Sequence, residues 1–118
     1  MAPRLILVIE DDEGIRETLR LTLELEGFEV ATAANGKLGL DALRGPQKPC
    51  LILLDLMMPV MDGWAFAEAM GQDIALAAIP IIVVTAVAES AKGVKLARGV
   101  IKKPVDMDVL LRIVSEYC

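Results

Sequence analysis

Four short stretches of this chain carry residues that could do chemistry together. Asp55 closes the apolar run Cys50-Leu51-Ile52-Leu53-Leu54, just before Leu56-Met57-Met58-Pro59 turns the backbone. Glu10-Asp11-Asp12-Glu13 follows the run Leu5–Ile9, Thr85 ends Ile79–Val84, and Lys103 follows Gly99-Val100-Ile101-Lys102. Singly, each has a plain structural explanation: an Asp after a strand opens a loop or caps a helix, and charged runs are solvated faces. Together they form a set in which carboxylates, a hydroxyl and an ammonium each stand at the end of a buried strand. Two carboxylates about 4 Å apart repel by roughly 4 kcal/mol at an effective dielectric near 20. A hard divalent cation, Mg²⁺ above all, offsets that repulsion with oxygen ligands and retained waters, and Lys103 adds a compact positive charge. Such a set suits phosphoryl transfer, with a carboxylate as the nucleophile. No Gly-rich loop follows the first run, so a nucleotide phosphate has no cradle there.

The elements that must position these residues alternate in type. Strands are expected over 5–9, 28–33, 50–55, 79–85 and 99–102. The intervening helices are expected over 13–26, 35–43 and 63–70, with a last helix opening at Asp106 or Asp108 and carrying Val109, Leu110, Ile113 and Val114. On the first helix Ile15, Leu19, Thr22 and Leu23 share one stripe, and Gly27 is its natural stop. Leu21 and Leu25 fall off that stripe and are expected to be partly exposed. Trp64 and Phe66 read as packing residues. The segment 86–98 has poor periodicity with Gly93 in its middle, so a shortened or irregular fourth helix is expected there. Strands alternating with helices make an α/β, doubly wound, five-stranded parallel sheet, and right-handed crossovers favour the flavodoxin-like order 2-1-3-4-5. That order sets the ends of the first and third strands side by side, bringing Glu10 and Asp11 to Asp55.

Composition excludes several classes. The 118 residues suit one domain spanning 1–118, with 55% hydrophobic and 25% charged residues. A net charge of −5 argues against a nucleic-acid groove, and the absence of histidine removes imidazole ligands and bases. No apolar run is of membrane-spanning length, and Met1-Ala2-Pro3-Arg4 leads directly into the first strand without a signal-peptide pattern. Cys50 and Cys118 lack framework or metal spacing and are expected to be two reduced thiols of a cytoplasmic protein.

The motifs Val8-Ile9-Glu10-Asp11-Asp12, Leu54-Asp55-Leu56-Met57-Met58-Pro59-Val60-Met61-Asp62-Gly63, Val84-Thr85-Ala86 and Lys103-Pro104, in this order, resemble those of the receiver domains of two-component response regulators. The resemblance spans essentially the whole chain. It implies that Asp55 is the phosphoacceptor, supplied by a histidine kinase or a histidine phosphotransfer protein, or slowly by acetyl phosphate. It further implies Mg²⁺ on Asp11, Asp55 and the Met57 backbone carbonyl, with Glu10 acting through a metal-bound water and Asp12 falling just after the pair. Lys103 is implied to pair with the phosphoryl oxygens, across a cis bond to Pro104, while Lys102 points away. Thr85 is implied to move onto the phosphoryl group, shifting a protein-interaction surface toward one of two states.

The chain departs from the family in three places. Val100 stands where an aromatic usually swings with the Thr. The interval from Thr85 to Lys103 is about one helical turn short, in the segment that normally serves output and dimerisation. Met57 and Val87 occupy positions that influence hydrolysis of the acyl phosphate, and neither side chain orients water by a strong hydrogen bond, so slow self-dephosphorylation is implied. Leu21 and Leu25 are candidate apolar anchors for a kinase helix, or simply exposed. Two rivals stand beside the signalling reading, which sees a stand-alone regulator or a receiver of a longer chain. One is a Mg²⁺-dependent phosphohydrolase, weakened by Met57 where a second Asp is usual. The other is a receiver-like interaction module that is never phosphorylated. The kinase and the downstream protein are not named by the sequence.

Overall fold

A computed structural model describes residues 4–118; Met1, Ala2 and Pro3, which the sequence reading sets directly before the first strand, lie outside them. In chain order the elements are β1 (Leu5–Ile9), α1 (Glu13–Leu25), β2 (Glu29–Ala33), α2 (Gly36–Leu43), β3 (Leu51–Leu54), α3 (Gly63–Gly71), a single-turn α4 (Ile74–Ala77), β4 (Ile81–Thr85), a 3₁₀ segment (Ala88–Gly93), β5 (Ala97–Lys102) and α5 (Met107–Tyr117). The strands form one parallel sheet in the order β2-β1-β3-β4-β5, as the alternation of elements predicts.

Short polar side chains start the helices. Asp12, Asn35, Asp62 and Asp106 each accept a backbone N–H from the first turn of α1, α2, α3 and α5, satisfying donors that have no partner inside the helix. Asp106 rather than Asp108 is thus the start of the last helix. Gly27, at φ 92°, ends α1 in the left-handed region that a side chain disfavours. The central strands are apolar on both faces: every residue of β3 and β4 is buried. One face of the sheet carries a core built on Leu54, Phe66, Met70 and Val83, the other a core built on Val8, Leu19, Leu23, Leu53 and Leu110. Leu21 and Leu25 are exposed, as expected of residues off the buried stripe.

The fourth crossover is irregular, as its sequence predicts, and the cause is tertiary. Trp64 on α3 donates its indole N–H to the Ser90 carbonyl at 3.1 Å, and a Cβ at Gly93 would stand 3.2 Å from that indole nitrogen. The segment therefore folds against Trp64 as a 3₁₀ turn. α4 escapes sequence reading because one turn is too short for periodicity. Its marks are the cap Asp73, whose carboxylate accepts from Ala75 and Leu76, and Pro80 beyond it.

One expectation is corrected. Cys50 and Cys118 are not free thiols: they form a disulfide, with Cα atoms 5.7 Å apart across a sequence separation of 68. Cys50 enters β3 and Cys118 leaves α5, and both pack on the same face of the sheet. Spacing in the chain cannot show that meeting; only the crossover that lays α5 over β3 creates it.

Helix α3 leans on the strand end that carries Asp55. A Cβ on Gly63 would stand 2.4 Å from the Asp55 carbonyl oxygen and 2.8 Å from the Leu56 Cα, so only glycine permits this approach. Gly71, at the other end of α3, would meet only Leu96 Cδ1 at 3.5 Å. Gly63→Ala should therefore destabilise the fold by about 1–3 kcal/mol, whereas Gly71→Ala should be near neutral. Thermal unfolding of the two variants checks this, and equal midpoints would contradict it.

Candidate phosphoryl-transfer site

The sheet order brings four strand ends to one rim. Asp55 follows β3 and its N–H donates to the Ile9 carbonyl at 2.9 Å, so the ends of β1 and β3 are tied together. Glu10 follows β1, with its N–H on the Ala33 carbonyl at 3.0 Å. Lys103 follows β5, with its N–H on the Thr85 carbonyl at 2.8 Å. Glu10, Asp11, Asp55, Met57, Thr85, Val87 and Lys103 line one cavity of about 400 Å³.

The predicted residues divide into distinct positions. Glu10, Asp55 and Thr85 are buried, whereas Asp11 and Asp12 are exposed. Asp12 caps α1 and lies outside the cluster formed by Glu10, Asp11 and Asp55. Lys102 is exposed and Lys103 turns inward, as alternation along a strand requires. The Lys103–Pro104 peptide bond is cis. Met57 and Val87 present exposed side chains at the cavity, and Val100 is exposed on β5. The Thr85 hydroxyl accepts the Val87 N–H at 3.3 Å, which ties it to the loop after β4.

One contact departs from expectation. Lys103 Nζ lies 2.6 Å from Glu10 Oε1 but 3.6 Å from Asp55 Oδ1. Asp55 Oδ1 takes the Leu56 N–H at 2.8 Å instead. Sequence reasoning also missed Arg16, whose guanidinium donates to the carbonyls of Glu10 at 2.9 Å and Asp11 at 3.4 Å. Its only signal was a cation one turn into the helix that follows the acidic run.

The electrostatics show a site short of positive charge. Burial pushes the Glu10 carboxyl up to about 7, although Lys103 and the Asp12 N–H pull the other way. Burial also raises Asp55, against the opposing pull of Glu10 and Lys103, and Asp11 pushes it further up. Burial alone would lower Lys103, but its contacts with Glu10 and Asp55 outweigh that and hold it above the ordinary lysine range. One ammonium thus faces three carboxylates.

That donor set fits a divalent ion. Glu10, Asp11 and Asp55 each offer a carboxylate oxygen within 4.8 Å of the other two. Glu10 Oε1 is buried and accepts no well-angled hydrogen bond; its contact with Lys103 is an ion pair only. Oxygen-only donors suit Mg²⁺ with waters completing the shell.

Known proteins share the family and the fold of this chain. A family model described as response regulator receiver domain matches residues 6–115. Among curated proteins, the chain is 46% identical over 81 residues to the transcriptional regulatory protein AfsQ1 of Streptomyces coelicolor, covering 69% of this chain and 34% of that one. The chain thus spans about a third of that relative's length. It is 32% identical over 114 residues to protein PilH of Pseudomonas aeruginosa, covering 93% of each. Among solved structures, response regulator protein TrrA of Thermotoga maritima, in complex with Mg²⁺-BeF, superposes with a TM-score of 0.84 at 30% identity, over 98% of this chain and 99% of that one.

Crowded carboxylates make a stability prediction. In metal-free buffer Asp55→Asn should stabilise the fold by about 1–2 kcal/mol, a screened fraction of the like-charge repulsion it removes. Millimolar Mg²⁺ should raise the unfolding midpoint of the unsubstituted protein and leave Asp55→Asn nearly unmoved. Denaturant titration with and without Mg²⁺ reads both effects, and an equal Mg²⁺ response in the two proteins would exclude the cluster as the ion's site.

Proposed function

This chain belongs to the response regulator receiver domain family of two-component signalling, and from that premise we propose that Asp55 accepts a phosphoryl group that switches an interaction surface. The observation that supports this most directly is the convergence of Asp55, Glu10 and Asp11 with Lys103 at one cavity, although they come from three separated segments. A carboxylate oxygen of Asp55 attacks phosphorus. The bond from phosphorus to a kinase histidine nitrogen, or to acetyl phosphate oxygen, breaks, and the leaving group keeps that bond's electrons. A mixed anhydride forms on Asp55.

The chain's own groups divide the work. The Leu56 N–H holds Asp55 Oδ1 in place, and the pairing of Asp55 N–H with the Ile9 carbonyl fixes the root of the side chain. Lys103, on a strand end tied to Thr85 and 3.6 Å from Asp55 Oδ1, would neutralise a phosphoryl oxygen. Bound Mg²⁺ would supply charge neutralisation for both carboxylates and the phosphoryl group, held by Asp11, Asp55 and the Met57 carbonyl, with Glu10 acting through a water. Thr85 would turn its hydroxyl from the Val87 N–H to the phosphoryl group, which carries the loop after β4 with it.

The output surface differs from a receiver with a full fourth helix. The 3₁₀ segment Ala88–Gly93 and the exposed Val100 replace the usual helix and aromatic, so the partner contact is read through the loop after β4 and the edge strand β5. The donor in this reading is a histidine kinase or a phosphotransfer protein, and the receiver of the signal is a protein. One domain spanning 1–118 carries this role, acting as a signalling domain rather than a turnover enzyme. No helix among the described residues is long and apolar enough to cross a membrane. A cytoplasmic location goes with the reading, although a disulfide such as Cys50–Cys118 is uncommon in that reducing compartment.

Two measurements test the proposal. Incubation with acetyl phosphate and Mg²⁺ should add one phosphoryl group by intact mass, absent without Mg²⁺ and absent in Asp55→Asn; an unchanged mass would refute the phosphoacceptor. Met57 and Val87 are exposed at the cavity and cannot orient a water, so the acyl phosphate should be long-lived. The double substitution Met57→Asn with Val87→Glu should shorten its half-life by about tenfold, less than the full contribution of roughly 10²–10⁴ for a well-positioned general base. A half-life that stays the same would remove that account.

A further inference from the structure

Lys103 is engaged before any phosphoryl group arrives, and its partner is Glu10 rather than Asp55. Glu10 Oε1 lies 2.6 Å from Nζ, against 3.6 Å for Asp55 Oδ1. The Glu10 side chain is 2% exposed and that of Lys103 is 18% exposed, so the contact is screened little by solvent. Everything around Glu10 fixes it in this role. Its backbone N–H is bound to β2 through Ala33, its carbonyl takes the Arg16 guanidinium, and its second oxygen, Oε2, accepts the Asp12 N–H at 3.2 Å. With Oε2 held, Oε1 is the free end, and it points at Lys103. An Asp rooted at the same backbone would fall short by about one carbon–carbon bond, roughly 1.5 Å. The length of Glu10 is what allows it to hold the lysine.

Resting on the phosphoacceptor reading, we infer that Glu10 is a positioning residue that restrains Lys103 as an internal competitor of the phosphoryl group. Binding of a phosphoryl group at Asp55 exchanges one ion pair for another: the Glu10–Lys103 contact opens and a Lys103–phosphoryl contact forms. The exchange trades one ion pair of Lys103 for another. The unphosphorylated state is thereby favoured by the strength of the pair that must open. Glu10 sets how far the domain is switched at a given supply of donor.

Simple repulsion between Glu10 and an incoming dianion makes a similar first-order prediction, and a double-mutant cycle separates the two. Beryllium fluoride is the phosphoryl probe, titrated at saturating Mg²⁺. Glu10→Gln keeps the size and removes the charge, and it should tighten the probe about tenfold when Lys103 is present, as expected for losing one charge-assisted contact. In a Lys103→Met background the same substitution should change affinity less than about twofold if the effect runs through the lysine. Equal tightening in both backgrounds would leave only repulsion and overturn the inference, as would no tightening in either. A metal-free readout stands beside it. The Lys103 ammonium should give an observable ¹⁵Nζ–¹H NMR signal in the unsubstituted protein that is lost in Glu10→Asp and in Glu10→Gln. A signal that persists in both overturns the restraint even if Lys103→Met binds too weakly to titrate. Failure of the unsubstituted protein to bind the probe would sink the phosphoacceptor reading and this one with it. Binding that depends on Asp55 but gives an additive cycle removes the Glu10 restraint alone.

Discussion

The rest of this structure is arranged around an electrostatic imbalance: three carboxylates gathered where, among the described residues, one ammonium reaches them. A folded protein does not hold two buried acids side by side without cause, because desolvation and mutual repulsion both favour the proton over the charge. The raised Glu10 and Asp55 register that tension. What maintains it is the sheet. Parallel strands buried on both faces end at a common rim, and register hydrogen bonds between β1, β2 and β3 leave Glu10 and Asp55 no freedom to separate. The hydrophobic cores on the two faces supply the stability that the rim lacks.

Loops and helices around the rim follow from the same demand. Arg16 draws in the carbonyls of the acidic loop, Asp12 caps α1 while its N–H holds Glu10, and Gly63 lets α3 come up beneath the Asp55 carbonyl. Past Asp55 the chain turns through Val60, a β-branched residue at φ 68°, and the Met61 carbonyl beyond it accepts the Gly36 N–H at 2.9 Å. A side chain at Gly36 would collide with Met61, so this loop too is seated by a glycine. Strained turns at functional rims persist because the surrounding packing over-determines them.

Legibility in the sequence tracked the range of the cause. Strands β3 and β4 were readable because every residue is apolar, and the helix starts were readable because Asp, Asn and Gly act within one turn. Asp55, Glu10, Asp11, Thr85 and Lys103 were readable as a group because topology alone carries strand ends to one rim. Three features were not. The Cys50–Cys118 bond depends on where α5 lands on the sheet. The one-turn α4 is shorter than any periodic signal. The closer approach of Lys103 to Glu10 than to Asp55 depends on where each side chain is rooted and on the anchoring of Glu10 Oε2, which spacing cannot express.

The irregular fourth crossover and the acidic rim are linked through Thr85. Its carbonyl takes the Lys103 N–H, and its hydroxyl takes the Val87 N–H at the threshold of the 3₁₀ segment. One residue therefore bridges Lys103 and the loop after β4. The loop is short and rests on Trp64 through Ser90 and Gly93, and it lacks the ladder of hydrogen bonds that would make a full helix resist local rearrangement. Movement of this loop is opposed mainly by its contact with Trp64, whereas Lys103 is held separately by Glu10. The short crossover thus leaves the surface nearest the site on a 3₁₀ segment braced by Trp64 rather than on a full helix.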